Sequence, residues 1–251
     1  IAISNIGNAH PLFGTRVKMP VLTTGAAVYH VQLTETLMKL YMDHRLFDTI
    51  VCPGMFYTCT AFGVLQNLFG EAAVCALENI EFLDALIFDG KDRLEERPVL
   101  NIIVTPTSTN ENKSECSQEV QFGNISVLSC SPRMDSDAEG TWTDHFSCQF
   151  SVSLAIPPNK PHKIANSVTT ATLEVLEISP EGIYKRITDA GYHHGPAFQW
   201  MQRIKTTTDA PGVSFVSLGA NSKSESANTY VWDGVLHPGL LDACLHAAMF
   251  A

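Results

Sequence analysis

Apolar and polar positions alternate along much of the chain. The stretches "GTRVKMP", "AVYHVQL", "VLNIIVTP", "GNISVLSCS", "HFSCQFSVSLAI", "ATLEVLEIS" and "VSFVSLGA" carry β-branched and aromatic residues with turn residues between them, and they predict strands. Helix-like spacing is rarer and is best at residues 54–69, 180–189 and 239–250. The pattern predicts a sheet-rich α+β chain. Two polar stretches, "TSTNENKSECSQ" and "SPRMDSDAEGTW", predict a long hairpin tip and an exposed turn. The segment "IPPNKPHKIANS", residues 156–167, holds three prolines and reads as a linker between residues 1–155 and 168–251.

A weak internal repeat agrees with that division. "VCPGMFYTCTAFGVL" starts at Val51 and "LHPGLLDACLHAAMF" starts at Leu236, so Pro53-Gly54 recurs as Pro238-Gly239, 185 residues on. In both an apolar run follows, and in both a Cys stands six residues after the proline. Pro-Gly suits a tight entry into a helix. Two copies of a sheet wrapped around a buried helix account for the pattern, and chance similarity is the competing account. Four residues past the proline the copies differ, with Tyr57 in the first and Asp242 in the second.

Composition narrows the class. The 251 residues are 45% hydrophobic and 17% charged, enough for a sizeable core. The net charge of −10 and the absence of long basic runs exclude nucleic-acid binding through a basic face. The seven cysteines include no C-x-x-C pair. Three lie in apolar, helix-like surroundings and read as small buried hydrophobes in a reducing compartment. Sequons at Asn112 and Asn124 stand alone as hints of secretion. No stretch approaches a membrane span, the first ten residues lack signal-peptide character, and the chain reads as a piece of a longer polypeptide. A cytoplasmic location is expected.

The candidate chemistry consists of polar residues set into apolar runs. His44 lies in "YMDHRLFDTIVCPG". Asp242 and His246 lie four apart in "LLDACLHAAMF" and so share a helix face. Each insertion neighbours a Pro-Gly helix start, and symmetric packing of the halves would aim both starts at one site. A histidine and an aspartate supply a base and an acid. Against this stand two bland accounts: a structural histidine, and an aspartate that serves the helix dipole. "GYHHGP" pairs His193 with His194, but no further ligands follow at metal spacing, so no metal site is expected. Motifs for P-loop, dinucleotide, zinc-protease or serine-hydrolase chemistry are absent.

Four ordered stretches resemble the dehydratase domain of modular polyketide synthases, related to that of animal fatty acid synthase. "HPLFG" at 10–14 resembles the family's opening, and "HRLFDTIVCP" at 44–53 its H-x-x-x-G-x-x-x-x-P motif. "GYHHGPAFQ" at 191–199 resembles G-Y-x-Y-G-P-x-F, and "HPGLLDACLH" at 237–246 resembles H-P-x-x-L-D with D-x-x-x-Q/H. "WTDHFSCQF" at 142–150 is also similar. The resemblance spans nearly the whole chain. It implies a double hotdog fold, one hotdog per half, with further C-terminal strands truncated or disordered.

The resemblance also implies a reaction. A β-hydroxyacyl thioester on an acyl carrier protein loses water to give the α,β-unsaturated thioester. Carried over by motif, His44 is the base that removes the α-proton, and Asp242 is the acid that protonates the departing hydroxyl. His246 orients Asp242, and the backbone N–H of Gly54 polarises the thioester carbonyl. Pro53, Tyr57, His194, Gly195, Pro196 and Phe198 line the substrate channel. No cofactor or metal of its own is implied, since the phosphopantetheine arm belongs to the carrier protein. The implied partners are that carrier protein, neighbouring ketosynthase and ketoreductase domains and a second copy of the chain, with neither nucleic acid nor membrane. Arg45 is a candidate contact for the acidic carrier.

Two letters depart from the motifs. Asp48 replaces a glycine and is expected to face solvent or accept turn hydrogen bonds, with Leu46 and Phe47 facing inward; His194 replaces a tyrosine. Three other readings remain: a dehydratase-like double-bond isomerase, a pyran-forming cyclase, and a non-catalytic domain that docks the carrier protein.

Overall fold

The structure, a computed structural model, describes residues 4–18, 25–88, 97–107, 120–130, 141–153, 175–207, 214–219 and 236–247. The expected linker at 156–167 and most of both polar stretches lie outside the described residues.

Seven strands form one antiparallel sheet in the first half. They are β1 (Ser4–His10), β2 (Gly14–Lys18), β3 (Ala27–Val31), β6 (Val74–Phe82), β8 (Val99–Thr107), β9 (Val120–Cys130) and β10 (Trp142–Ser153), in the order β1-β2-β3-β8-β9-β10-β6. The expected alternation appears in β8, where Leu100, Ile102 and Val104 are buried and their neighbours are less so. Helix α2 (Gly54–Phe69) packs against this sheet. It is nearly apolar all round, with Phe56, Tyr57, Cys59, Ala61, Val64 and Leu65 all buried. A shorter helix, α1 (Glu35–Met42), precedes it, capped by Thr34 Oγ1 accepting from the Leu37 N–H at 3.3 Å.

The second half is smaller. Strands β11 (Val175–Ile178), β13 (Met201–Thr207) and β14 (Ser214–Leu218) form an antiparallel sheet. Helices α3 (Pro180–Asp189) and α4 (Pro238–Ala247) pack on it around Ile178, Ile183, Ile187, Met201, Ile204 and Ala243. Ser179 caps α3 by accepting from the Gly182 N–H, and Pro180 occupies the first turn. The bounds expected for α2 and α3 match those observed. Helix α4 is less enclosed than its apolar sequence suggests, because Cys244 and Leu245 are exposed. Cys244 is therefore not a core residue, whereas Cys52, Cys59 and Cys148 are.

A third sheet joins the halves. Strands β4 (His44–Leu46), β5 (Thr49–Val51) and β7 (Ile87–Phe88) come from the first half and β12 (Tyr192–His194) from the second, in the order β12-β4-β5-β7. The register sets His44 directly opposite His194. Helix α4 also packs against α2, so the two Pro-Gly helices meet.

Candidate active site

His44 follows the end of α1 at once. Asp43 closes that helix, its N–H donating to the carbonyls of Leu40 and Tyr41, and the chain turns directly into β4. His44 is thereby buried beneath the second half. Its Nδ1 lies 2.8 Å from the Val51 carbonyl oxygen. A carbonyl only accepts, so Nδ1 carries the proton and Nε2 presents a lone pair. Burial pulls the His44 pKa below its ordinary value, although Asp242 pulls the other way. The imidazole is thus held neutral, the form in which it accepts a proton.

Asp242 sits one turn into α4, and its side chain leans back toward the helix start. Its Oδ1 is 4.0 Å from His44 Nε2, and its Oδ2 is 3.8 Å from His194 Nε2. One turn on, His246 Nδ1 lies 2.9 Å from the Asp242 backbone oxygen and 3.0 Å from Oδ2. Burial lowers the His246 pKa, but the hydrogen bond and charge of Asp242 outweigh it, and the net direction is upward. Phe198 walls the cluster, its ring centroid 5.1 Å from that of His44 and 5.9 Å from that of His194.

Three hydrogen bonds, two to Asp43 and one from Trp200, hold Gly195 and the short turn Pro196–Phe198. Ala197 N–H donates to Asp43 Oδ2 at 2.9 Å, and Gly195 N–H donates to the Asp43 carbonyl at 2.7 Å. Trp200 Nε1–H donates to the Ala197 carbonyl at 2.8 Å. A Cβ at Gly195 would collide with the Asp43 carboxylate, which is why that position is bare. Asp43 therefore ties the end of α1 to the turn that carries Phe198. Sequence reasoning missed this role; its only signal was a carboxylate beside the histidine.

His237 supplies the start of α4. Its Nδ1 accepts from the Gly239 N–H at 3.0 Å, an unusual side-chain cap. Burial lowers its pKa to about 4. A histidine depressed in the fold stabilises fully above the unfolded pKa of ~6.5 and loses that contribution as pH falls toward the folded value. At pH 5 the loss is about 2 kcal/mol. Urea titrations at pH 7.5 and 5 are expected to show a drop larger by about that amount in the wild type than in His237→Asn, which keeps a capping oxygen without the titration.

The remaining expected site residues divide. Pro53 is buried at the N-cap of α2 and offers no side-chain cap, and Gly54 opens the helix. Tyr57 points into the first half's core, where its ring contacts are Phe56, His145 and Phe146. Gly195 is half-buried and Pro196 exposed. Asp48 is exposed at the tip of the β4–β5 hairpin. The expectation for Leu46 and Phe47 fails. Both are exposed, because the two-residue tip turns them outward, with Phe47 in the left-handed region at φ 53°. The Phe47 ring lies over Gly191, and its N–H donates to the Gly191 carbonyl at 2.6 Å.

Known proteins share both sequence and architecture with this chain. A family model described as the polyketide synthase dehydratase domain matches residues 10–117. Another, described as the polyketide synthase dehydratase N-terminal domain, matches residues 168–251. A phenolphthiocerol/phthiocerol polyketide synthase of Mycobacterium tuberculosis is 27% identical over 238 residues, covering 95% of this chain and 10% of that protein. The hybrid PKS-NRPS synthetase mpsA of Macrophomina phaseolina is 26% identical over 246 residues, covering 96% and 5%. The chain thus spans a tenth or less of the length of these relatives. Among solved structures, the dehydratase domain from the CurF module of curacin polyketide synthase superposes with a TM-score of 0.73 at 17% identity, covering 96% of this chain and 76% of that one. The dehydratase domain of PpsC from Mycobacterium tuberculosis gives 0.64 at 22%, covering 96% and 73%. The two antiparallel sheets, each packed on a Pro-Gly helix, form a double hotdog. With both halves matched and the fold shared, the chain belongs to the dehydratase domains of polyketide synthases.

Proposed function

We propose that the chain dehydrates a β-hydroxyacyl thioester, carried on the phosphopantetheine arm of an acyl carrier protein, to the α,β-unsaturated thioester. The observation that carries this reading is the 4.0 Å approach of His44 Nε2 to Asp242 Oδ1 in a buried cluster fed by both halves. His44 Nε2 removes the α-proton, and Asp242 delivers a proton to the β-hydroxyl as the C–O bond breaks. Water leaves and the C=C bond forms. His246 holds the Asp242 carboxyl in place. The N-cap of α2 is a proline without a side-chain acceptor, which leaves first-turn N–H groups, Gly54 among them, to stabilise the charge that grows on the thioester carbonyl. Intact-mass analysis of a β-hydroxyacyl carrier protein after incubation with the chain tests the reading. Loss of one water supports it; an unchanged mass, as a docking domain would leave, contradicts it.

Presence of the carboxyl acid favours dehydration over simple double-bond migration, which needs no proton delivered to a leaving hydroxyl. The pH profile follows from the buried base. Because His44 is depressed, its neutral form persists to lower pH, so the acid limb of kcat/KM is expected to have its midpoint below ~6.5. A midpoint above that value would place the base elsewhere.

Docking is proposed to involve Arg45, which lies beside the base with its Nε 3.1 Å from the Met42 carbonyl. Reversal to Arg45→Glu is expected to raise KM for the carrier-bound substrate by roughly tenfold and to leave kcat nearly unchanged. An unaltered KM, insensitive to salt, would remove Arg45 from the docking surface.

A further inference from the structure

We propose that His44, His194 and Asp242 form a binding site for a divalent transition metal, zinc foremost. The three come from β4, β12 and α4, are all buried, and place one ligand atom each within 4.8 Å of one another. Adjacent histidines in the sequence gave no ligand set. The register of β12 on β4 and the packing of α4 complete one, drawing residues 44, 194 and 242 together.

His194 is the residue that calls for a ligand. Its side chain is 2% exposed, and neither of its ring nitrogens has a hydrogen-bond partner among the described residues. Buried polar atoms left unpaired are costly, and a cation takes up the one lone pair of the neutral ring. The surrounding shell suits ligation. The Val51 carbonyl fixes His44 with Nε2 unprotonated toward the cluster, and His246 Nδ1 at 3.0 Å steadies the carboxylate.

The ligand atoms must contract to hold one ion. Tetrahedral zinc, with bonds of about 2.0–2.2 Å, spaces its ligand atoms roughly 3.3–3.5 Å apart. Asp242 Oδ1 stands 4.0 Å from His44 and Oδ2 3.8 Å from His194, and one ligand atom from each of the three residues lies within 4.8 Å of the others, so no pair closes by more than roughly 1.5 Å around one ion. His194 breaks no ring hydrogen bond to the described residues in moving. Two imidazoles and one carboxylate favour zinc over magnesium or calcium, and leave a fourth position open. A bound ion occupies the lone pair of the base and the oxygen of the acid, so inhibition of dehydration is the expected consequence. That consequence rests on the proposed function; the binding itself does not.

The test is isothermal titration of the untagged, chelator-treated chain with zinc, without substrate, paralleled by cobalt and its visible absorption bands. Uptake of one equivalent at micromolar zinc is expected. His194→Phe and His44→Phe are each expected to weaken it at least ~100-fold, while His193→Phe, on the exposed neighbour, leaves it intact. Circular dichroism establishes that each variant is folded, and His194→Tyr gives a second route should His194→Phe not fold. No uptake by the wild type, full uptake by the folded His194 variants, or equal loss in His193→Phe would overturn the site.

Discussion

His44→Ala is expected to lower kcat/KM for dehydration by about 10²–10⁴-fold while the chain stays folded, and Asp242→Asn by a similar factor. Both side chains are buried, yet neither is part of the large apolar clusters, so removing them affects chemistry more than packing. In the proposed reaction His44 accepts the proton at Nε2, because its Nδ1–H is committed to the Val51 carbonyl. Asp242→Asn retains size and polarity but has no acidic proton to give, so it separates chemistry from structure. The two losses are expected to be far from additive, since base and acid act on one substrate at once. Steady-state kinetics on the single and double variants, with unfolding curves alongside, check this.

The second large effect is expected at a glycine. A Cβ at Gly239 would land inside the van der Waals envelope of the Ala197 carbonyl oxygen, which already accepts from Trp200. Backbone cannot swing away as a side chain can. Gly239→Ala is expected to destabilise by about 3 kcal/mol, lowering Tm by several degrees, and to reduce activity because α4 carries Asp242. The matching position in the other half behaves differently. At Gly54 the atoms nearest the new Cβ belong to the Phe82 ring, 3.0 Å away at the closest, and Phe82 is a half-exposed side chain that can tilt. Gly54→Ala is expected to cost under about 1 kcal/mol. Equal Tm losses in the two variants would contradict this account of the packing.

Those two glycines also show what could be read from the chain. The Pro-Gly repeat pointed to two helices that enter tightly, and α2 and α3 have the bounds that local signals predict: proline or serine at the cap, with an apolar run behind it in α2 and apolar positions four apart, Ile183 and Ile187, in α3. Such signals act within a turn or two, so sequence carries them directly. Helix α1 was missed because its eight residues lie against the polar insertion at Asp43-His44-Arg45, which obscured the period. Edge strand β6 was missed because it is half exposed along most of its length and so lacks a clean alternation.

Long-range pairing was the harder part. The β12–β4 ladder that sets His194 against His44, and the Asp43–Ala197 hydrogen bond across 154 residues, have no local signature. The polar insertions in apolar runs marked His44, Asp242 and His246 as candidates, the family motifs gave them roles, and the fold brings those three together. It sends Tyr57, expected along the channel, to ring contacts in the first half's core. The departure at Asp48 sits at an exposed hairpin tip, whereas the departure at His194 lies 3.8 Å from the Asp242 carboxylate.

The most direct measurement of the central claim runs the reaction from both sides. Wild-type chain is incubated with a β-hydroxyacyl carrier protein and, separately, with the corresponding enoyl carrier protein in heavy-oxygen water. Both are followed by intact mass. The account predicts convergence on one mixture, with heavy oxygen entering the β-hydroxyl, and the loss of both directions in His44→Ala and Asp242→Asn. Carrier-bound substrates left unchanged, a double bond that migrates without gain of water, or variants that equilibrate as fast as the wild type would contradict it.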